Sequence, residues 1–126
     1  MMIVIRGPFF LGLILSATCL AETDLAILEE EHQQSIATED GKSFEMTAVQ
    51  AFWGDAAFMR ECVPADAELP EPLTIFFEVE SNGALGELVI APQNEVARCI
   101  SEAVSQRQFP VPPHRWIGKI ELNFTR

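Results

Sequence analysis

One stretch constrains the fold more than any other: Arg98-Cys-Ile-Ser-Glu-Ala-Val-Ser-Gln-Arg-Gln-Phe-Pro-Val-Pro-Pro113. It opens with the spacing of a helix and closes against prolines. Val96, Cys99, Ile100, Ala103 and Val104 fall on one helical face, and Asn94 stands where an N-cap belongs. Pro110 has no N–H to donate and biases Phe109 away from helical angles. The helix must therefore stop, and the chain must leave it in extended form. Phe109 lies at the corner, placed to drop into the core. Beyond the prolines, Trp116, Gly118, Ile120, Leu122 and Phe124 alternate with Ile117, Lys119, Glu121, Asn123 and Thr125. That period predicts a last strand from Trp116 to Thr125, returning to a sheet.

The sheet has its other members upstream. Leu73, Ile75, Phe77 and Val79 alternate with Thr74, Phe76, Glu78 and Glu80, the pattern of a half-buried strand. Ser81-Asn82-Gly83 supplies a tight turn, and a second strand from about Leu85 to Ala91 completes an antiparallel hairpin. Pro92 ends it. Before the hairpin, a helix capped by Ser43 is predicted to run to Cys62. Phe44, Ala48, Val49, Phe52, Ala56, Met59 and Cys62 form its apolar face. Thr38-Glu39-Asp40-Gly41 reads as a turn. Residues 24–35 read as a further helix with a thin apolar stripe of Leu25, Leu28 and Ile36. Its Glu29-Glu30-Glu31 run is a solvated face. The prediction is an α+β fold: N-terminal helices, then ββαβ, with a three-stranded antiparallel sheet packed against helices.

The first residues have a different character. Arg6 precedes an apolar run from Pro8 to about Leu15, followed by small residues and then acidic ones, which is the order of a secretory signal peptide. Cys19-Leu20-Ala21 places small residues at the two positions a signal peptidase reads, with cleavage before Glu22. The apolar run is short for a membrane span, which needs roughly 20 residues. A lipoprotein acceptor at Cys19 would want Leu three residues earlier and Gly or Ala just before it, where Ser16 and Thr18 stand. Membrane association is therefore expected only if the N-terminus is retained or Cys19 carries lipid. Export leaves Cys62 and Cys99 in an oxidising space, where an even number of cysteines favours a disulfide with one connectivity. Two thiols so distant in sequence do not resemble a Cys-x-x-Cys redox pair.

Losing Arg6 takes the formal charge from −11 to −12. A chain this acidic repels phosphate backbones and anionic lipid surfaces, so nucleic acid is excluded as a partner class. Catalytic patterns are also missing from the sequence. His32 lies on a polar helix face and His114 follows Pro113, neither at metal-ligand spacing from a partner. Ser101 and Ser105 lack a base and an acid nearby in the pattern, and no Gly-rich phosphate loop is present. The expectation is a non-catalytic protein without cofactor or metal.

The order helix, hairpin, helix, strand, with Phe-Pro-x-Pro before the last strand, resembles the C-terminal domain of TonB-type energy transducers. It is most similar to the cysteine-bearing AgmX/PglI-like branch of that superfamily. The residues that carry the resemblance are Cys62, Asn82-Gly83, Val96 to Ile100, Arg107 to Pro112, and Ile120 to Phe124. It covers roughly residues 52–126, within a domain drawn at 43–126, and leaves residues 22–42 as an N-terminal helical extension. The resemblance implies a periplasmic domain of Gram-negative type. In the transducers, a sheet edge pairs with an extended segment of an outer-membrane protein. By position, the pairing edge here would be the last strand, with Trp116, Ile117, Lys119, Ile120, Glu121 and Asn123. Lys119, Glu121 and Arg126 also resemble charges that blunt an edge.

This sequence has no long Pro-rich spacer and no convincing retained anchor, so the fold is expected to carry over and force transduction for the most part is not. The expected role is an adaptor that binds an envelope protein or extended peptide. An anchored accessory subunit of an envelope transport or motility complex is the alternative. An exposed edge also permits a homodimer. Intact mass of the exported protein separates the two roles. A species beginning at Glu22, with no alkylatable thiol before reduction, is expected. Retention of residues 1–21, or lipid on Cys19, would select the anchored subunit.

Overall fold

The structure, a computed structural model, describes residues 22–125; the expected signal peptide, with Arg6 and Cys19, and the terminal Arg126 lie outside the described residues. Its elements are α1 (Glu22–Ser35), α2 (Glu39–Trp53), α3 (Met59–Cys62), β1 (Leu73–Val79), β2 (Leu85–Ala91), α4 (Glu95–Val104) and β3 (Trp116–Leu122). The fold is α+β, with one open antiparallel sheet in the order β2-β1-β3. Among the described residues, no helix is long and apolar enough to cross a membrane.

β1 is central because it is apolar on both faces. Leu73, Ile75, Phe77 and Val79 point into the main core with Phe44, Ala48, Phe52, Ile100, Val104, Phe109 and Trp116. Phe76 points the other way and is still only 4 % exposed, since α1 lies over it with Leu28 and Ile117. The half-buried strand expected from alternation is therefore covered on both sides. α1 forms a third layer, opposite α2, α3 and α4.

Both ends of α2 differ from the sequence reading, α1 begins two residues early at Glu22, and α4 ends at Val104, well before Pro110. α2 starts at Glu39 rather than behind Ser43. Thr38 is the N-cap, and its Oγ1 accepts the Gly41 N–H at 3.0 Å. Glu39 and Asp40 then stand in the first turn, where carboxylates complement the positive end of the helix. The expected turn at Thr38–Gly41 is thus the first turn of α2. At the other end, α2 stops at Trp53 instead of continuing to Cys62. Gly54 takes φ 61°, and Ala56 also lies in the left-handed region at φ 60°. Arg107 secures this break from the far side of the sequence. Its Nε donates to the Phe52 carbonyl at 2.9 Å and its Nη2 to the Trp53 carbonyl at 3.2 Å. A guanidinium there satisfies orphan carbonyls and complements the negative end of the helix.

The hairpin and the α4 cap form as the sequence predicts. Gly83 N–H bonds to the Glu80 carbonyl at 2.8 Å, and Asn94 Oδ1 accepts the Ala97 N–H at 2.8 Å. Phe109 is buried at the proline corner, and its N–H reaches back to the Gly83 carbonyl at 2.9 Å. β3 ends at Leu122, short of the expected Thr125.

Cys62 and Cys99 are joined, with Cα atoms 5.5 Å apart. The bond pins α3, and not the long second helix, to α4. It closes a loop spanning a sequence separation of 37 residues, a constraint on the unfolded chain worth about 3–4 kcal/mol. The paired substitution Cys62→Ala/Cys99→Ala is expected to lose about that much stability, seen as a lower urea midpoint. Reductant should lower the wild-type midpoint equally.

Candidate functional site

The outer edge of β3 follows from two hydrogen bonds. The Ile117 N–H donates to Ser35 Oγ at 2.9 Å, and the Ile117 carbonyl lies 3.0 Å from His32 Nδ1, which must carry the hydrogen to bond it. Both backbone groups of Ile117 therefore point away from β1. In an antiparallel pair, successive residues turn their backbone groups alternately toward and away from the partner strand. Gly118, Ile120 and Leu122, opposite Phe77, Ile75 and Leu73, accordingly bond β1. Lys119 and Glu121 present theirs outward, and Asn123 follows in the same phase just past the strand.

The side chains of the predicted edge divide sharply. Trp116 is fully buried, edge-on to Phe44 at 5.3 Å between ring centroids. Its Nε1 donates to the Gly41 carbonyl at 3.1 Å, so it belongs to the core and offers a partner nothing. Ile117 is 2 % exposed beneath α1. Ile120 packs on the main core. Lys119 is half-buried between Glu29 and Glu121, its Nζ 3.0 Å from the Glu121 carboxylate. Glu121 and Asn123 are exposed. Beside Lys119 and Glu121, a recess between α1 and the sheet is lined by Leu25, Ala26, Thr74, Phe76 and Ala91. It gives the edge an apolar neighbour. Cys62 and Cys99 lie away from this edge, in the opposite helical layer.

The sequence pattern counts Leu28 as apolar but puts His32 on a polar helix face and gives Ser35 no role, whereas both side chains are buried against this edge. Leu28, His32 and Ser35 are the buried positions among the described side chains of the helix, at i, i+4 and i+7. Two of the three are polar, so an apolar stripe was almost invisible. The signal was present as spacing: a histidine and a serine in phase with a leucine. His32 faces Glu45 across 3.9 Å through its second nitrogen. Gly41 is the other missed residue. A Cβ there would stand 1.8 Å from the Ser35 carbonyl oxygen, so only glycine lets α1 turn this tightly into α2.

Ion pairs complete the seam. Lys119 bonds Glu29 of α1, and Arg115 bonds Glu78 while approaching Glu31 of α1 at 3.8 Å. The Lys119 hydrogen bond, with help from Gln33, holds the Glu29 carboxyl below its ordinary value, and the same bond raises Lys119. Burial pushes the Glu78 carboxyl up, but the Glu87 N–H and Arg115 outweigh it and its pKa is lowered. The seam rests on one small apolar cluster and several polar contacts. Leu28, Phe76 and Ile117 each contribute up to about 1.5–3 kcal/mol by burial, each hydrogen bond to Ile117 about 0.5–1.5 kcal/mol, and each surface pair about 0–1 kcal/mol.

Among the described residues, no group of three or more His, Cys, Asp or Glu side chains is arranged to hold a metal ion. No protein-family model, no curated protein and no solved structure matches this chain.

The pH response of the seam follows from Glu29. A carboxyl whose pKa is lowered on folding stabilises fully above its unfolded value, near 4.5, and that stability is lost as pH falls through the lower folded value. Wild type is expected to lose more urea resistance than Glu29→Gln on acidification below about pH 4.5. Because Glu29 is more than a third exposed, the difference should stay under about 1 kcal/mol. Parallel acid dependence in both proteins would remove the pair from the account.

Proposed function

We propose that this chain is an exported, periplasmic, non-catalytic binding module that pairs the outer edge of β3 with an extended segment of an envelope protein. The observation that carries this reading is the outward backbone of Lys119 and Glu121 on an edge strand, with the apolar recess of Phe76 and Leu25 alongside. Strand addition draws affinity from such backbone groups and selectivity from pockets that take alternate side chains. The disulfide supports placement in an oxidising compartment. The resemblance to TonB C-terminal domains supports the same edge, since their pairing strand is the last one. Lys119 and Glu121 also discourage indiscriminate edge-to-edge association, which suits an adaptor that selects one partner.

The phase of the strand selects the test. Ile120→Pro would remove an N–H that bonds β1 and so damage the sheet itself. Glu121→Pro removes an outward N–H and leaves that ladder intact, as proline is tolerated on edge strands. Crosslinking capture in the periplasm should yield one defined envelope protein with wild type. Glu121→Pro should weaken capture by about tenfold, with an unchanged thermal midpoint. Equal capture by both proteins would overturn edge pairing.

A further inference from the structure

The outward groups of β3 are not uniformly open. At Lys119 and Glu121 they face outward past the seam, whereas at Ile117 they are taken by Ser35 and His32. Those two side chains do for Ile117 what the backbone of a fourth strand would do. They come from the N-terminal extension, α1, which crosses the opposite face of the sheet from the main core. Beyond them, α1 holds β3 through Glu29 on Lys119 and holds the residue before β3 through Glu31 near Arg115. Its apolar contribution is the buried Leu28 and the partly buried Leu25, while Ile27 is 51 % exposed. The rest of the fold does not depend on it in the same way. α2 has its own cap at Thr38, the main core is built from the other face of the sheet, and the disulfide joins α3 to α4. A 14-residue helix is marginal alone and owes its stability to docking.

We infer that α1 is a reversible cover on the pairing edge of β3. It opens as a unit while the sheet, α2, α3 and α4 stay folded. With α1 docked, a partner strand reaches only the short edge from Lys119 to Asn123. With α1 released, the edge extends back through Ile117, and the partner competes directly with His32 and Ser35. The competing ligand is an extended polypeptide segment, and this identity rests on the edge-pairing reading above. The cover itself does not.

Native-state hydrogen exchange on the full chain tests the cover without any ligand. Gly118 and Ile120 donate to β1, so their amides report the sheet. Ile117 donates to α1, so its amide reports the cover. In wild type, Ile117 is expected to exchange together with the α1 amides, at least about tenfold faster than Gly118 and Ile120. His32→Ala leaves the Ser35 acceptor of Ile117 in place. It should still accelerate Ile117 and α1 together, with Gly118 and Ile120 unchanged. Glu29→Gln should act in the same direction, more weakly, and serves if His32→Ala does not fold. Ile117 exchanging only with Gly118 and Ile120, in wild type and variant alike, would overturn the cover. That outcome is independent of capture: failed capture with a separable Ile117 would sink edge pairing and leave the cover standing.

Discussion

Two adjacent residues, Trp116 and Ile117, hold the three layers together. A strand sends successive side chains to opposite faces. Trp116 enters the main core against Phe44 and Phe77, and its indole N–H ties the first turn of α2 through the Gly41 carbonyl. Ile117 goes to the other face and takes α1 by its side chain and by both backbone groups. The corner between α1 and α2 closes at the same place, where the Ser35 carbonyl meets Gly41. Moving β3 by one residue would exchange the two faces and lose every one of these contacts at once.

The route into β3 is secured from several directions. Arg107 fastens the end of α4 to the last carbonyls of α2 and lies 5.6 Å from the Phe58 ring centroid. Phe109 stacks on Phe77 at 5.6 Å and anchors the proline corner to the hairpin turn. The disulfide fixes α4 to the short α3 a few residues earlier. A helix that ends at Val104, six residues before Pro110, with a cysteine within it, thus serves one mechanical end. It delivers the last strand to the exposed side of β1 with its phase determined.

That delivery leaves an edge, and the edge is shared. Half of it is answered by side chains of the chain's own first helix, and half faces outward beside an apolar recess. The contacts that answer it are mostly polar: two buried hydrogen bonds to Ile117, with ion pairs of Lys119 and Arg115 on the surface beside them, each of modest net energy. A terminal helix held by one small apolar cluster and a few polar contacts belongs to the low-stability end of a fold, from which binding elements are commonly drawn. The N-terminal helix is therefore part of the same sheet edge as the outward groups of Lys119 and Glu121.

Local pattern alone was enough for the hairpin, the Asn94 cap and the α+β class, while the disulfide followed from the cysteine count and the expected export. Each of the first three depends on spacing or on proline and glycine chemistry within a few residues. The edge was legible in outline, since a C-terminal strand in a small sheet offers few alternatives. Its details were not. Alternation puts Trp116 in the apolar set and Glu121 in the other, but it cannot say that Ile117, in the same set as Glu121, is buried beneath α1. The break of α2 after Trp53 depended on Arg107, distant in sequence, reaching the freed carbonyls. The docking of α1 depended on His32 and Ser35, polar residues whose partners are the backbone of one strand far along the chain. Sequence pattern carries short-range preference and amphipathic phase, whereas polar contacts between distant segments exist only once packing has brought their donors and acceptors together.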